Sequence, residues 1–541
     1  MSSRATAWRE RLNGFSRRDL FRGGGWLAAL GLLPKRSAGG AARPAPALSV
    51  GRNLYQSIGV RPLINCKGTF TIISGSQTLP EVKAAMEEAS RHYVHLDELM
   101  EAVGARLAEL TQAPWGIVTA GCAAALTHAT AACIAGADPE KMQRLPNVHG
   151  LKSEVIMPRS SRNVYDHAIR MLGVRIVEVD TKEQYLAAIN DNTAMVCILG
   201  GPSDKFLDEV AEATKPKGVP ILVDAAAEEL TIPNVHLKRG ATMVAYSGGK
   251  CIRGPQCAGL LLGPKDLLQA AWLNSAPHHA FGRSLKVGKE EIMGMLAAVE
   301  MWVKRDHQAE WKTWESWLAN ISSKVASIPS VRTEVLQPSE GLSNHAPRLR
   351  ISWDAERVGI AGNELEKYLY DNEPRIVLGG STGAWGSKQQ SSVSIMPYMM
   401  MPGDDKIVAA RLYEVLSKPP QIRRAPEEKG QPAAVAGQWN IRLDFVRGSA
   451  NHVLFFEQQG ENITGTHRGS VLAGDLRGTV KGNQVRFRSS FPYEGTRLNY
   501  QFEGRLENGA LAGVVDLGEY GTARWTGQRH QYGNGELRRG A

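Results

Sequence analysis

The stretch Tyr246–Gly259, YSGGKCIRGPQCAG, decides how the chain is read. One lysine, Lys250, stands between a Gly-Gly pair and a Gly-Pro, among small residues. Glycine removes the side chain wherever another group must come close. A lysine in so cleared a space suggests that something flat and bulky packs against its amine. A surface turn carrying a solvated lysine fits the same letters, and the flanking sequence has to choose.

Upstream and downstream, short apolar runs alternate with amphipathic stretches. Ser153–Pro158, Val174–Val179, Ala194–Leu199, Pro220–Glu228, Thr242–Ser247 and Ala258–Gly263 read as buried strands, with Asp166–Gly173 and Leu207–Gly218 as intervening helices. Near-continuous apolar strands belong to sheets covered by helices on both faces. The pattern therefore predicts an α/β domain with a mostly parallel sheet. Asp224 ends one of these strands and lies 26 residues before Lys250. Two consecutive parallel strands bring their ends to one edge of the sheet, where ligands of open α/β sheets sit. An acid and a lysine converging there form either a plain salt bridge or a pyridoxal 5′-phosphate site. In the second case the lysine is the Schiff-base residue and the acid holds the proton on the pyridine nitrogen.

That cofactor needs a phosphate cradle. Val118–Gly136, VTAGCAAALTHATAACIAG, supplies a tight turn opening an alanine-rich helix. Backbone N–H groups at a helix start bind phosphate, which makes Gly121, Cys122 and Ala123 the candidate donors. Ser247 adds a hydroxyl candidate, and Ala226 is small enough to lie under the ring. Many buried helices also begin with such small residues, so the cradle counts only beside the lysine and the acid.

INCKGTFTIISGS, VTAGCAAAL, VYDHAIRMLGV, PILVDAAAEEL, YSGGKCIRGPQCAGLLLG and GRSLKVGKEEIMGML occur in this order. Together they resemble the fold-type I pyridoxal phosphate enzymes grouped with bacterial selenocysteine synthase and D-glucosaminate-6-phosphate ammonia-lyase. The resemblance covers roughly residues 53–416. It implies that Lys250 is the Schiff-base lysine and Asp224 the partner of the ring nitrogen. It also implies that a residue from RNVYDH, His167 or Tyr165, covers the outer face of the ring, although either fits helix-start packing. Arg283, Lys286 and Lys289 resemble a basic element facing a neighbouring subunit's site, or else form a solvated face. Arg375 is the candidate for gripping a substrate carboxylate, since its fork suits that group; a strand-start arginine in water is the alternative. A homodimer or larger homo-oligomer follows from the same resemblance.

The ends of the chain carry a different message. Residues 1–45 hold nine basic residues against Glu10 and Asp19, so most of the net charge of +10 lies there and the body is nearly balanced. Ser16–Phe21, SRRDLF, precedes a short apolar run, Gly23–Leu33, and the small residues Ser37–Ala42. That order is a secretory signal of the twin-arginine type, over 1–42. The apolar run is too short to cross a bilayer, which needs about 20 residues. The expectation is a periplasmic or secreted protein with no stable membrane anchor, carried folded by the twin-arginine export machinery. The six cysteines lack C-x-x-C spacing, so no metal site is indicated.

The expected organisation is a large cofactor-binding domain over 53–295, a small α+β domain over 296–416, a Pro-rich linker over 417–436, and an antiparallel β-barrel or sandwich over 437–530. In the last, the apolar period is two, and Asn508-Gly509 marks a hairpin. No cluster of ligand-type residues stands out there. The chemistry implied is that of an exported enzyme acting on a small-molecule amine, an amino acid or amino-sugar acid, through a Cα carbanion. A lyase is the first reading and an aminotransferase or racemase the second. Export and the nearly neutral body speak against tRNA or other nucleic acid as a partner. A non-catalytic envelope protein using the β-module is the alternative of another class.

Overall fold

The computed structural model describes residues 51, 53–201, 205–338, 341–424 and 430–531; the leader lies outside them. The chain divides into two compact units, Met1–Pro62 and Leu63–Ala541. Among the described residues of the first, the 3₁₀ turn Gln56–Ile58 is closed by Gly59 at φ +80°. All that follows concerns the second.

Its central sheet has seven strands: β1 (Trp115–Thr119), β2 (Glu154–Pro158), β3 (Arg175–Val179), β4 (Thr193–Leu199), β5 (Ile221–Asp224), β6 (Met243–Ser247) and β7 (Gly259–Gly263). Their spatial order is β1-β7-β6-β5-β4-β2-β3. β2 pairs in parallel with β3 and β4, β4 with β5, and β5 with β6. β7 runs antiparallel between β6 and β1, so six strands share one direction. Every residue of β1, β5 and β7 is buried. That explains why these runs are continuously apolar instead of alternating.

The helices of this region include α1 (Pro80–Ser90), α2 (Leu96–Thr111), α3 (Cys122–Ala135) and α4 (Lys289–Lys304). α3 has 12 of its 14 residues buried, and its alanines let it lie close against the sheet. The expected helix at Asp166–Gly173 is only one turn, His167–Arg170, because the chain enters it through a 3₁₀ turn at Val164–Asp166.

A second core gathers Trp353, Ile351, Leu369, Leu412 and their neighbours. It lies among a small antiparallel sheet, the helix α5 (His307–Val325) and the helix α6 (Asp404–Ser417). A parallel pairing of Ile64–Cys66 with Ile376–Leu378 ties the start of this unit into the same core.

The C-terminal strands close on themselves as an eight-stranded antiparallel barrel, which settles the choice between barrel and sandwich. Alternate residues point inward, and Trp439, Trp525, Phe456, Phe487 and Phe502 fill the interior. Phe487 and Phe502 stack at 4.4 Å. Closure leaves no unpaired edge. Asn508 and Gly509 both have positive φ, the geometry a two-residue hairpin turn demands.

The barrel does contain a polar cluster that its sequence hides. His452 and His467 share a hydrogen bond of 2.8 Å, and His467 shares another of 2.6 Å with Ser489. The three sit on three different strands, so no local spacing announces them. Burial, helped by His452, pushes His467 down to about 3.

Candidate functional site

β5 and β6 lie side by side and in register at Asp224 and Ala245. Both strands end at the same edge, and Lys250 follows three residues after Ser247. The Ser247 N–H donates to the Ala226 carbonyl at 3.3 Å, bridging the two strand ends. Lys250 and Asp224 thus converge by direct consequence of parallel pairing.

The turn around Lys250 is held by its own backbone. Gly248 N–H donates to the Ala258 carbonyl, and Gly254 N–H to the Gly248 carbonyl, both at 2.8 Å. A Cβ on Gly248 would stand 2.8 Å from the Ala258 oxygen, and one on Gly249 would stand 2.6 Å from Gln256 Cα. The glycine pair therefore makes room for the chain itself. Gly75 presses on the Gly249 carbonyl from the other side, and Ser76 N–H donates to it at 3.0 Å. What is left to the lysine is a fixed backbone and a side chain with no ion-pair partner among the described residues.

Asp224 is 6% exposed, and burial raises its pKa. The Ala226 N–H, which donates to Oδ1 at 3.1 Å, and the charge of Lys250 act in the opposite direction. Cys122 donates its thiol to the same Oδ1 at 3.5 Å. Oδ2 has no hydrogen-bond donor among the described residues. A buried carboxylate with one oxygen unspent fits a cationic ring nitrogen, which would hold it ionised. Burial pushes the Cys122 thiol up, so it is a neutral donor and not a nucleophile.

Gly121 caps α3 with φ +88°, and a Cβ there would meet nothing within 4 Å. On its opposite side Gly259 of β7 is pressed so close that a Cβ would lie 2.4 Å from the Gly121 carbonyl carbon. The turn is thus braced from behind and open in front. Cys122 is buried and Ala123 exposed at the open end. The Gly121 N–H is itself spent on the Thr119 carbonyl at 2.9 Å, so of the three expected donors Cys122 and Ala123, in the first turn of this 14-residue helix, are the ones left for an anion.

Behind the acid lies a second buried pair. Glu228 and His236 meet at 2.6 Å, both nearly inaccessible, and Gly200 leaves the space that the Glu228 carboxylate fills. Glu228 follows Asp224 in the same VDAAAE run, yet only the fold shows that it is pinned by a histidine.

The RNVYDH segment borders the acid. Tyr165 and His167 are exposed in the chain. Asn163 and Asp166 line a small cavity with Asp224. Asp166 is clamped by Arg162 at 2.6 Å and Arg170 at 2.9 Å. Arg375 is spent within its own domain: its Nε donates to the Tyr370 carbonyl, and its guanidinium lies 3.9 Å over the Tyr370 ring. Arg283 and Lys286 are exposed, while Lys289 pairs with Glu290.

The barrel reaches this neighbourhood. At the tip of its Gln484–Tyr493 and Thr496–Glu507 hairpin, Glu494 pairs with Arg162 and stands 3.9 Å from Arg170. Gly495 is seated so tightly that a Cβ would lie 2.1 Å from the Asn163 carbonyl oxygen. The β-module is therefore docked on the loop that borders Asp224. Among the described residues no group of three or more ligating side chains could hold a metal, and no helix is long and apolar enough to cross a membrane.

Comparison with solved structures finds D-glucosaminate-6-phosphate ammonia-lyase at a TM-score of 0.60 and 28% identity, over 67% of this chain and 98% of that one. The fold is that of the fold-type I pyridoxal phosphate enzymes. Among curated proteins the chain is 28% identical over 382 residues to D-glucosaminate-6-phosphate ammonia lyase of Salmonella typhimurium (strain 14028s / SGSC 2262), covering 67% of this chain and 98% of the relative. It is 27% identical over 382 residues to 5′-C-glycyluridine monooxygenase-decarboxylase of a Streptomyces species, covering 67% and 92%. An L-seryl-tRNA(Sec) selenium transferase of Mannheimia succiniciproducens matches at 26% over 215 residues, 34% of this chain and 45% of that protein. No established family profile matches the chain. Its homologues are pyridoxal-phosphate-dependent enzymes. A third of this chain lies outside the longest of these matches.

Proposed function

We propose that the protein is an exported pyridoxal-phosphate-dependent lyase acting on a β-hydroxy or β-substituted amino acid or amino-sugar acid. The observation that carries this reading is the convergence of Lys250, with no ion-pair partner among the described residues, and buried Asp224 on adjacent parallel strand ends. The cofactor, when bound, supplies an electron sink conjugated to the carbon that carries the substrate amine. Lys250 is the residue placed to bond it and then to move the proton at the substrate Cα. Asp224 would hold the proton at the ring nitrogen, its Oδ1 already fixed by Ala226 and Cys122. The N–H groups of Cys122 and Ala123 would hold its phosphate, and Ser247, paired across the sheet with Gly259, would offer a hydroxyl.

Elimination is favoured over amine transfer or racemisation by the named activity of the ammonia-lyase relative, whose match covers 67% of this chain. The nearly neutral body argues against a tRNA substrate. The basic, twin-arginine-bearing leader supports export, and the fold type supports a homodimer or larger homo-oligomer.

The test is ammonia release from a panel of β-hydroxy amino acids, β-substituted amino acids and unphosphorylated amino-sugar acids, with wild type beside Lys250→Ala. Turnover of at least one member by wild type alone is expected. Amine transfer to a keto acid without ammonia release would move the protein to the aminotransferases. Fractionation of cells expressing the full chain, with the twin arginine intact or changed to Lys-Lys, checks the export half.

A further inference from the structure

A cavity of about 460 Å³ opens between the turn after Lys250 and the helix α5. Lys250, Asp224 and Cys122 do not line it, whereas Cys251 and Arg253 do. Trp302, Trp311, Trp314 and Trp317 form much of its wall. Its volume falls within the usual range for small-molecule sites, about 300–1,000 Å³.

The unusual group here is Arg305. Its side chain is only 9% exposed and lies 5.0 Å over the ring of Trp302. One nitrogen, Nη2, donates to the Cys251 carbonyl at 3.2 Å. Nε stands 3.6 Å from Glu310, beyond hydrogen-bond length. Nε and Nη1 are buried with no acceptor among the described residues. A buried donor left unmade costs about 1–3 kcal/mol, more when charged. Arg253 adds a second guanidinium to the cavity, and among the described residues its hydrogen-bond acceptor is the Gln77 carbonyl at 3.1 Å. Burial lowers the pKa of both arginines, and the Arg305 charge lowers that of Arg253 further.

The acids in the wall answer this demand only in part: Glu310 stands 3.6 Å from Arg305 Nε, an ion pair without a hydrogen bond, and is shared with His307 at 3.5 Å, while Glu229 faces His345 at 3.3 Å. The cavity thus offers unspent guanidinium donors at one side and indole faces at the other. A planar carboxylate matches the guanidinium fork, and indole rings receive a flat apolar body by stacking or edge contact.

We propose that this cavity is a second ligand site, separate from the lysine pocket, for a small carboxylate with an aromatic or similarly flat apolar body. The ligand needs no amine, so the site does not rest on the chemistry assigned to Lys250. Because Arg305 holds the Cys251 carbonyl, an occupant would bear on the backbone next to the lysine.

The experiment is calorimetric titration of the full chain with phenylacetate and with its neutral counterpart phenylacetamide, alongside tryptophan fluorescence. Saturable phenylacetate binding in the millimolar range or tighter is expected, with the amide weaker by about tenfold or more, the worth of one charge-assisted hydrogen bond. Arg305→Met should weaken phenylacetate by a similar factor, and Lys250→Ala should leave it unchanged. Equal binding of acid and amide overturns the proposal, as does absence of saturable binding by the acid. So does unchanged affinity in a folded Arg305→Met, or loss of binding in Lys250→Ala, which would place the ligand at the lysine. The acid–amide comparison uses wild type and decides even where Arg305→Met does not fold.

Discussion

Replacing Asp224 by asparagine keeps the size of a buried side chain and removes its charge. The Ala226 N–H can still be accepted at Oδ1, so the strand end should hold its shape. Turnover is expected to fall by roughly 10²- to 10³-fold, the scale for loss of one preorganised charge, with a folded circular dichroism spectrum. An unchanged rate would remove Asp224 from the chemistry. Gly249→Ala makes a different claim at the same scale. Its Cβ meets backbone 2.6 Å away, so the variant should lose about 1–3 kcal/mol of stability in urea titration. Lys250 and Asp224 were legible in sequence because parallel pairing turns a strand–turn–strand spacing into spatial proximity. The role of the flanking glycines was not, because their neighbours Ala258, Gln256 and Gly75 become neighbours only through the loop's own backbone bonds. Glu228 was equally silent: an acid in a small-residue run says nothing of the histidine that faces it.

At the level of elements, the hairpin ending in Glu494 and Gly495 makes the barrel part of the catalytic region's surroundings. Its charge meets Arg162, whose side chain is 8% exposed and already bound to Asp166. Gly495→Leu cannot be seated without moving the hairpin off Asn163. We expect turnover to fall while the barrel itself stays folded, and cleavage by added protease between residues 418 and 436 to become faster. Glu494→Gln should give a milder version of both effects, since the glutamate is 37% exposed. Wild-type turnover in Gly495→Leu would separate the barrel from the site. The alternation of the barrel strands and the Asn508-Gly509 turn were readable from sequence. The docking was not, because Glu-Gly at a hairpin tip looks the same whether it faces water or another domain.

Across the whole molecule, buried neutral histidines give stability a pH direction. His467, held at about 3 by burial and by His452, and His128, held at about 4 by burial, both sit below the ordinary value of 6.5. The unfolded chain therefore binds more protons below 6.5, and stability is lost as the pH falls from there toward 4 and then 3. Between pH 7 and pH 5 each should cost about 2 kcal/mol. Urea midpoints measured over that range should drop, and His467→Gln should flatten the drop; a midpoint that rises on acidification would contradict the assignment. The general architecture was legible because runs of apolar residues, their spacing and the change of period after residue 436 are properties of the chain alone. The antiparallel strand β7, the docked barrel and the arginine-lined cavity arise from contacts between segments far apart in sequence, and no local pattern encodes them.

The central claim is that Lys250 carries the cofactor. Its most direct test is borohydride reduction of the purified full chain after incubation with pyridoxal phosphate, followed by absorbance and peptide mass mapping. A visible band that reduction bleaches and a pyridoxyl mass on the peptide containing Lys250 are expected, and neither in Lys250→Ala. A chain that never acquires the band, or a label fixed on another lysine with Lys250 unmodified, would contradict it.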